Sequence, residues 1–186
     1  MKLDLTLPLT PEMVRNAPGN EQKSLTGHLG THFDVMDRAF PLEYTERPGI
    51  VFDVSSIRDR EIDCTDLPLD RVAGGSFVAF YTGFIEEYEY GTKVYFGTHP
   101  QLSVSLIEAL LKKGVSIIGV DCGGIRRGAE HTPMDRHCAE RGTFVVENLW
   151  NLKELLSWDT PFTVHTYPMN YTSISGLPCR VIAEKN

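Results

Sequence analysis

The stretch between Ser76 and Asp121 limits the possible folds of this chain more than any other. The run SFVAFYTGF (76–84) joins β-branched and aromatic residues and stops at a Thr-Gly break, as a strand does. Further on, Ser103 is a fair N-cap, and Leu106, Ile107, Leu110 and Leu111 recur at helical spacing before Gly114. VSIIGVD then reads as a buried strand ending at Asp121. Strand, helix and strand in this order form an α/β unit with a parallel pairing nearby.

Other segments extend the pattern. LDLTLPL alternates as a strand, residues 50–54 are β-rich, and residues 143–147 form another strand. The tail from FTVHTYP to CRVIAE predicts two strands around a Ser-Gly turn. Further helices are short, at 133–141 and 149–156, and residues 11–26 and 85–99 read as loops. The predicted class is α/β, with a mixed β-sheet and few short helices. No repeat, low-complexity tract or linker divides the chain, so its 186 residues are expected to form one domain, 1–186.

The charge balance excludes several partner classes. A formal net charge of -7 argues against nucleic acid and anionic membranes as partners. No apolar run approaches the roughly 18–20 residues of a membrane span, and the N-terminus lacks a signal-peptide pattern. Cys64, Cys122, Cys138 and Cys179 form no CxxC and predict free thiols in a cytoplasmic protein.

The chemistry concentrates in GHLGTHFD, which carries His28, His32 and Asp34. Two imidazoles and a carboxylate are ligands for Zn²⁺ or Mn²⁺. On an extended segment all three side chains face one way, whereas on a helix Asp34 would lie about 200° round from His32. A second concentration is CGGIRRGAEHTPMDRH, with Arg126, Arg127, Glu130, His131, Asp135 and His137. Beyond it, Glu147 ends the apolar run TFVV, where a lone buried carboxylate is costly and a metal ion would serve as partner. Either Asp135 or His137 could supply the last ligand. Asp121, at a strand's carboxyl end, faces a crevice or caps the following turn. There is no GxSxG elbow, P-loop or GxGxxG after a strand; Cys122 or Cys138 beside His131 or His137 is a weaker nucleophilic option.

Together these segments resemble the cyclase or kynurenine-formamidase-like metal-dependent hydrolases, nearly end to end. DLTLPLTPEM is similar to the family's opening strand, and GHLGTHFDVMDR stands where the family has H-x-G-T-H-x-D-x-P-x-H. GGSFVAFYTGF, HPQLSVSLIEALLKKGVSIIGVD, GTFVVENLWNL and SGLPCRVIAE match later segments. The resemblance implies a swivelling β/β/α-type fold and a homo-oligomer, dimer or tetramer. It also implies hydrolysis of an amide or formamide by metal-activated water, with one or two divalent ions. His28, His32, Asp34 and Glu147 would be ligands, and Asp34 would bridge a second ion. Two departures stand out. The motif's Pro and last His are Met36 and Arg38, and arginine cannot be a general base near neutral pH. The family's further metal His stands twelve residues before the Glu, where this chain has Asp135.

The function expected is a metal-dependent hydrolase of a small, anionic substrate, arylformamidase-like. Asp135 completes the ligands and His131 shuttles the proton, with Glu130 as the other acid/base option. Arg38 orients a substrate carboxylate or the oxyanion, helped by Arg126 and Arg127. The alternatives are a binding protein without turnover and a lyase or cyclase on the same fold. The aromatic run FIEEYEYGTKVYF suggests a subunit contact.

Overall fold

The computed structural model describes residues 1–16 and 19–185. In chain order its elements are β1 (Lys2–Asp4), α1 (Pro11–Asn16), α2 (Asn20–Leu25), β2 (His32–Asp34), β3 (Glu46–Asp53), β4 (Phe77–Tyr81), α3 (Phe84–Glu87) and α4 (Lys93–Thr98). Then follow α5 (Val104–Lys112), β5 (Ile117–Val120), α6 (His131–Glu140), β6 (Phe144–Glu147), α7 (Leu152–Leu155), β7 (Phe162–Pro168) and β8 (Gly176–Lys185).

The β4–α5–β5 unit forms as the sequence predicts, with Phe77 beside Ile117 in a parallel pair. Parallel pairing continues on both sides, from β3 through β4 and β5 to β6. Antiparallel β2, β7 and β8 complete a mixed sheet in the order β1-β8-β2-β6-β5-β4-β3-β7. Because β7 also pairs with β8, seven strands close into a barrel. β1 lies outside the ring, on the edge of β8 that also carries β2.

Side-chain alternation separates two cores. Phe33, Phe77, Ala79, Tyr81, Ile117, Phe144, Val146, Val164, Leu177 and Val181 come from opposing strands and meet inside the barrel. Val78, Phe80, Ile118, Val120 and Val145 face outward onto Leu106, Ile107 and Leu110 of α5. Such two-sided burial explains the unbroken apolar runs of β4 and β5. It also determines the site: with Phe33 and Val146 inside, their neighbours His32, Asp34 and Glu147 must face outward.

Two segments read as loops carry short helices, α1 and α2 in one and α3 and α4 in the other. Helices of four to six residues hold too few turns to show a period. The aromatic run around α3 and α4 is not a free surface: Phe84, Tyr90 and Tyr95 are buried in the outer core, and Phe96 packs against it. The subunit contact inferred from that run therefore loses its basis. Asp121 caps the Thr-Gly break after β4, not the turn that follows it. Its carboxylate accepts from the Thr82 N–H and hydroxyl and from the Gly83 N–H at 2.5–3.0 Å. Burial pushes Asp121 up to about 6. All four cysteines are free thiols, and no helix among the described residues is long and apolar enough to cross a membrane.

Candidate metal centre

The centre forms where β2 and β6 run side by side under α6. The antiparallel register sets His32 directly opposite Glu147. His28 precedes β2 in a turn built on Gly27, whose φ is +80°. A Cβ there would collide with the Gly176 carbonyl oxygen, so only glycine lets this turn dock on the start of β8. Gly176 N–H donates to the Thr26 carbonyl at 3.0 Å across the same approach. From α6, His131 and Asp135 stand one helical turn apart and reach the same place.

The donor atoms converge. His28 Nε2 lies 3.0 Å from Asp34 Oδ1, and His32 Nε2 lies 3.8 Å from Asp34 and 3.7 Å from Glu147. His131 Nε2 is 3.2 Å from Asp135 and 3.3 Å from Glu147. The groups form two sets, each with ligand atoms within 4.8 Å of one another: His28, His32 and Asp34, and Asp34, His131, Asp135 and Glu147. Asp34 belongs to both.

Neighbouring groups fix the ligands' orientation. His32 Nδ1 lies 2.8 Å from the Gly30 carbonyl, so it carries the proton and Nε2 presents a lone pair to the cluster. His28 Nδ1 is 3.0 Å from the Thr26 hydroxyl. The Asn148 amide donates to the same Gly30 carbonyl at 2.9 Å, and its oxygen accepts from the Tyr95 hydroxyl at 2.8 Å. Gly30 N–H donates to the Tyr90 hydroxyl at 2.7 Å, and the Thr31 hydroxyl donates to the Asn148 carbonyl at 2.7 Å. Tyr90, Tyr95 and Asn148 escape the sequence reading as site residues, although Asn148 follows Glu147 directly in GTFVVENLWNL.

Electrostatically the cluster calls for a cation. Asp34, Asp135 and Glu147 are 1–3% exposed, yet no Lys or Arg among the described residues forms an ion pair with them. Burial, and the charge of Asp34, push Asp135 and Glu147 well above the usual carboxylate range. Burial holds His32 down at about 4, so its imidazole is neutral at pH 7. His32 Nε2, both oxygens of Asp34 and of Asp135, and Glu147 Oε1 are buried without a hydrogen-bond partner. Orphaned lone pairs on buried carboxylates and imidazole fit a divalent ion, which would satisfy all of them.

The other sequence candidates fall elsewhere. His131 stands among the carboxylates as a ligand would, rather than apart from them as a proton shuttle. His137, the alternative to Asp135, faces outward and pairs with Glu108 at 2.5 Å, because it lies two residues further round α6. Arg38 is about half exposed and pairs with Asp37 at 3.7 Å. Arg126 is committed to Glu61 and Glu130 at 2.5–2.6 Å, which also engages Glu130. Arg127 reaches only the Gly97 carbonyl, at 3.4 Å. The cationic pocket expected of the three arginines is thus not assembled at the cluster: two are held by carboxylates, and the third lies against the Gly97 carbonyl and Gln101. Cys122 and Cys138 are buried, and burial pushes both thiols up, which removes the nucleophilic option.

Fold and site together define an α/β barrel protein with a buried His/carboxylate donor cluster on the barrel's outer face. Residues 3–126 match the model of the Cyclase family, described as "Putative cyclase", and the chain belongs to that family. Solved structures share the fold. Isatin hydrolase A from Ralstonia solanacearum is 20% identical with a TM-score of 0.77, covering 98% of this chain and 91% of its own. Isatin hydrolase A from Labrenzia aggregata is 17% identical with a TM-score of 0.75, covering 98% and 93%. A metal-dependent hydrolase from Bacillus stearothermophilus, so designated by prediction, is 19% identical with a TM-score of 0.74, covering 98% and 97%. No curated protein matches the sequence.

Proposed function

We propose that this protein is a metal-dependent hydrolase that cleaves the amide or formamide bond of a small, anionic substrate. One observation carries the reading: buried lone pairs of His32, Asp34, Asp135 and Glu147 converge with no partner. His28, His32 and Asp34 would hold one divalent ion, Zn²⁺ or Mn²⁺. Asp34, His131, Asp135 and Glu147 would hold a second. A bound divalent ion supplies Lewis-acid polarisation of a carbonyl and lowers the pKa of water toward ~7.

The chain's own residues do the rest. The Gly30 carbonyl keeps the His32 proton on Nδ1, leaving Nε2 as donor to the ion. Asn148 and Tyr95 hold that carbonyl in place. Asp135 stands where the resemblance places a histidine, and His131 restores an imidazole from one turn earlier on α6. The resulting set is richer in oxygen and tolerates harder cations such as Mn²⁺. Isatin contains a cyclic amide, so the names of two structural neighbours agree with amide chemistry.

The test is metal analysis with hydrolysis of an N-formyl aromatic amine and of isatin, before and after chelation. Turnover that disappears with chelator and returns with Zn²⁺ or Mn²⁺ supports the reading; protein that takes up neither ion overturns it. The exposed Arg38, in place of the motif's acid/base histidine, favours a second reading, a ligand-binding or lyase-type member without hydrolysis. Arg38→His separates the two. General acid–base catalysis is worth about 10²–10⁴-fold. A gain of that order in Arg38→His over an inactive wild type would show that the hydrolytic proton donor is missing.

Homo-oligomerisation is proposed on other grounds than the aromatic run. Leu25, Leu42, Tyr167, Met169 and Tyr171 are each at least half exposed and line one apolar groove. Light scattering tests it: a mass of 20.9 kDa at micromolar concentration would rule it out.

A further inference from the structure

A small cavity lies where the segments after β3, α4 and β5 meet. It measures about 180 Å³, and Arg58, Asp59, Arg60, His99, Gln101 and Arg127 are among the residues lining it. None of the lining residues belongs to the donor cluster, and no described Phe, Tyr or Trp is among them. Its size is below the roughly 300 Å³ at which pockets for drug-sized ligands begin, so it admits only water or a small metabolite. His99 sets its chemistry. This residue is 1% exposed, and its Nδ1 lies 3.0 Å from the Pro100 carbonyl. A carbonyl only accepts, so Nδ1 carries the proton and Nε2 keeps a lone pair. Nε2 has no hydrogen-bond partner. Burial holds His99 down at about 4, so at pH 7 it is an acceptor and not a cation. A buried acceptor without a donor is costly, which calls for a donor in the cavity.

Most charges around the cavity are committed. Arg58 pairs with Glu87, Arg60 with Asp66 and Glu61 with Arg126, at 2.5–2.6 Å. Two charges are left over. The Arg127 guanidinium reaches only the Gly97 carbonyl, at 3.4 Å, and the Asp59 carboxylate engages no described residue. Both line the cavity, yet they stand beyond ion-pair distance of each other. The Gln101 side-chain oxygen accepts the Arg127 N–H at 2.8 Å, which leaves its amide NH₂ as a further donor beside Arg127. The unmet requirements are an anion for Arg127 and Gln101, and a positively charged donor for Asp59 and His99. One small molecule meets both when it is a zwitterion. We propose that this cavity binds a small aliphatic amino acid, its carboxylate on Arg127 and Gln101 and its ammonium on Asp59 and His99. The inference does not rest on the metal-centre reading.

Titration calorimetry of the full chain tests it with L-alanine, propionate, ethylamine and inorganic phosphate. Chelator is present throughout, so that alanine cannot bind through a metal ion. Wild type, Arg127→Met, His99→Phe and His32→Ala are compared, with Tm recorded for each. Alanine is expected to bind wild type. Propionate and ethylamine each lack one charged group and should bind at least about tenfold more weakly. Arg127→Met should weaken alanine about 10- to 100-fold, the range of one charge-assisted hydrogen bond. His99→Phe keeps a ring but no lone pair and should weaken it about tenfold. His32→Ala, at the metal centre, should bind alanine as wild type does. No alanine binding by wild type leaves the cavity to water and overturns the proposal. Equal alanine affinity in wild type and Arg127→Met, propionate or phosphate bound as tightly as alanine, or loss of alanine binding in His32→Ala overturns it as well. If His99→Phe does not fold, the half-buried Arg127 decides the matter through Arg127→Met.

Discussion

Replacing Asp135 by asparagine should stabilise the metal-free protein and lose much or all of that gain once metal is bound. The Asp135 carboxyl is 1% exposed, neither oxygen has a hydrogen-bond donor, and two further buried carboxylates stand beside it. Without metal at pH 7 it must stay charged among like charges or take up a proton. The second route bounds the cost: protonating an ordinary carboxyl at pH 7 costs about 4 kcal/mol. Asparagine removes that cost but leaves an amide short of partners, which returns about 1–3 kcal/mol. The metal-free variant should gain about 1–3 kcal/mol, and at about 2–4 °C per kcal/mol its Tm should rise by several degrees. With metal present that gain is offset. An ion at a hundredfold excess over its Kd stabilises the wild type by about 2.7 kcal/mol. An affinity loss of about 10- to 100-fold in the variant forfeits about 1.3–2.3 kcal/mol of that. Calorimetric unfolding in chelator and in excess Zn²⁺ or Mn²⁺ gives both shifts from one pair of proteins. A lower Tm for Asp135→Asn in chelator, or a gain as large with metal as without it, would refute the reasoning.

Three further outcomes are expected. His32→Ala should lower bound metal at least tenfold under limiting Zn²⁺, read by elemental analysis, because it removes the lone pair between Asp34 and Glu147. Gly27→Ala should cost about 1–3 kcal/mol, read from the urea midpoint, because it adds a side chain at φ +80° against the Gly176 carbonyl; an unchanged midpoint would deny the close approach. Asp121 has a folded-state pKa of about 6 against an ordinary 3.8, so its contribution is complete below 3.8 and lost as pH rises through 6. Wild type should therefore lose about 1–2 kcal/mol relative to Asp121→Asn between pH 4.5 and 7.5, measured by denaturant titration.

Local patterns of this chain speak plainly wherever a single element decides them. Alternation and helical period identify β4, α5 and β5, and the His32/Asp34 spacing indicates one-sided presentation on β2, whereas His28 joins them from a turn between Gly27 and Gly30, not from the extended segment that the spacing predicts. The short helices α1 to α4 stay hidden because four to six residues span less than two turns. Asp135 against His137 is undecided in sequence, since both lie within a turn of α6; only packing on β2 and β6 turns Asp135 inward and leaves His137 with Glu108. The arginines mislead for the same reason: a count of charges near a motif says nothing of Glu61, which comes from 65 residues away to engage Arg126.

The sequence by itself determined the α/β class, the family and the chemical type of the donors, because these depend on residue identity and local period. Tertiary structure alone decided that the mixed sheet closes through β7 and β8, and that β2 and β6 pair with His32 opposite Glu147. It alone placed His131 among the clustered donors and Lys23 over Phe96. The physical reason is one of range. Propensity and spacing act over a few residues, whereas ligand convergence depends on strand register and helix packing between segments about a hundred residues apart, as His32 and Glu147 are.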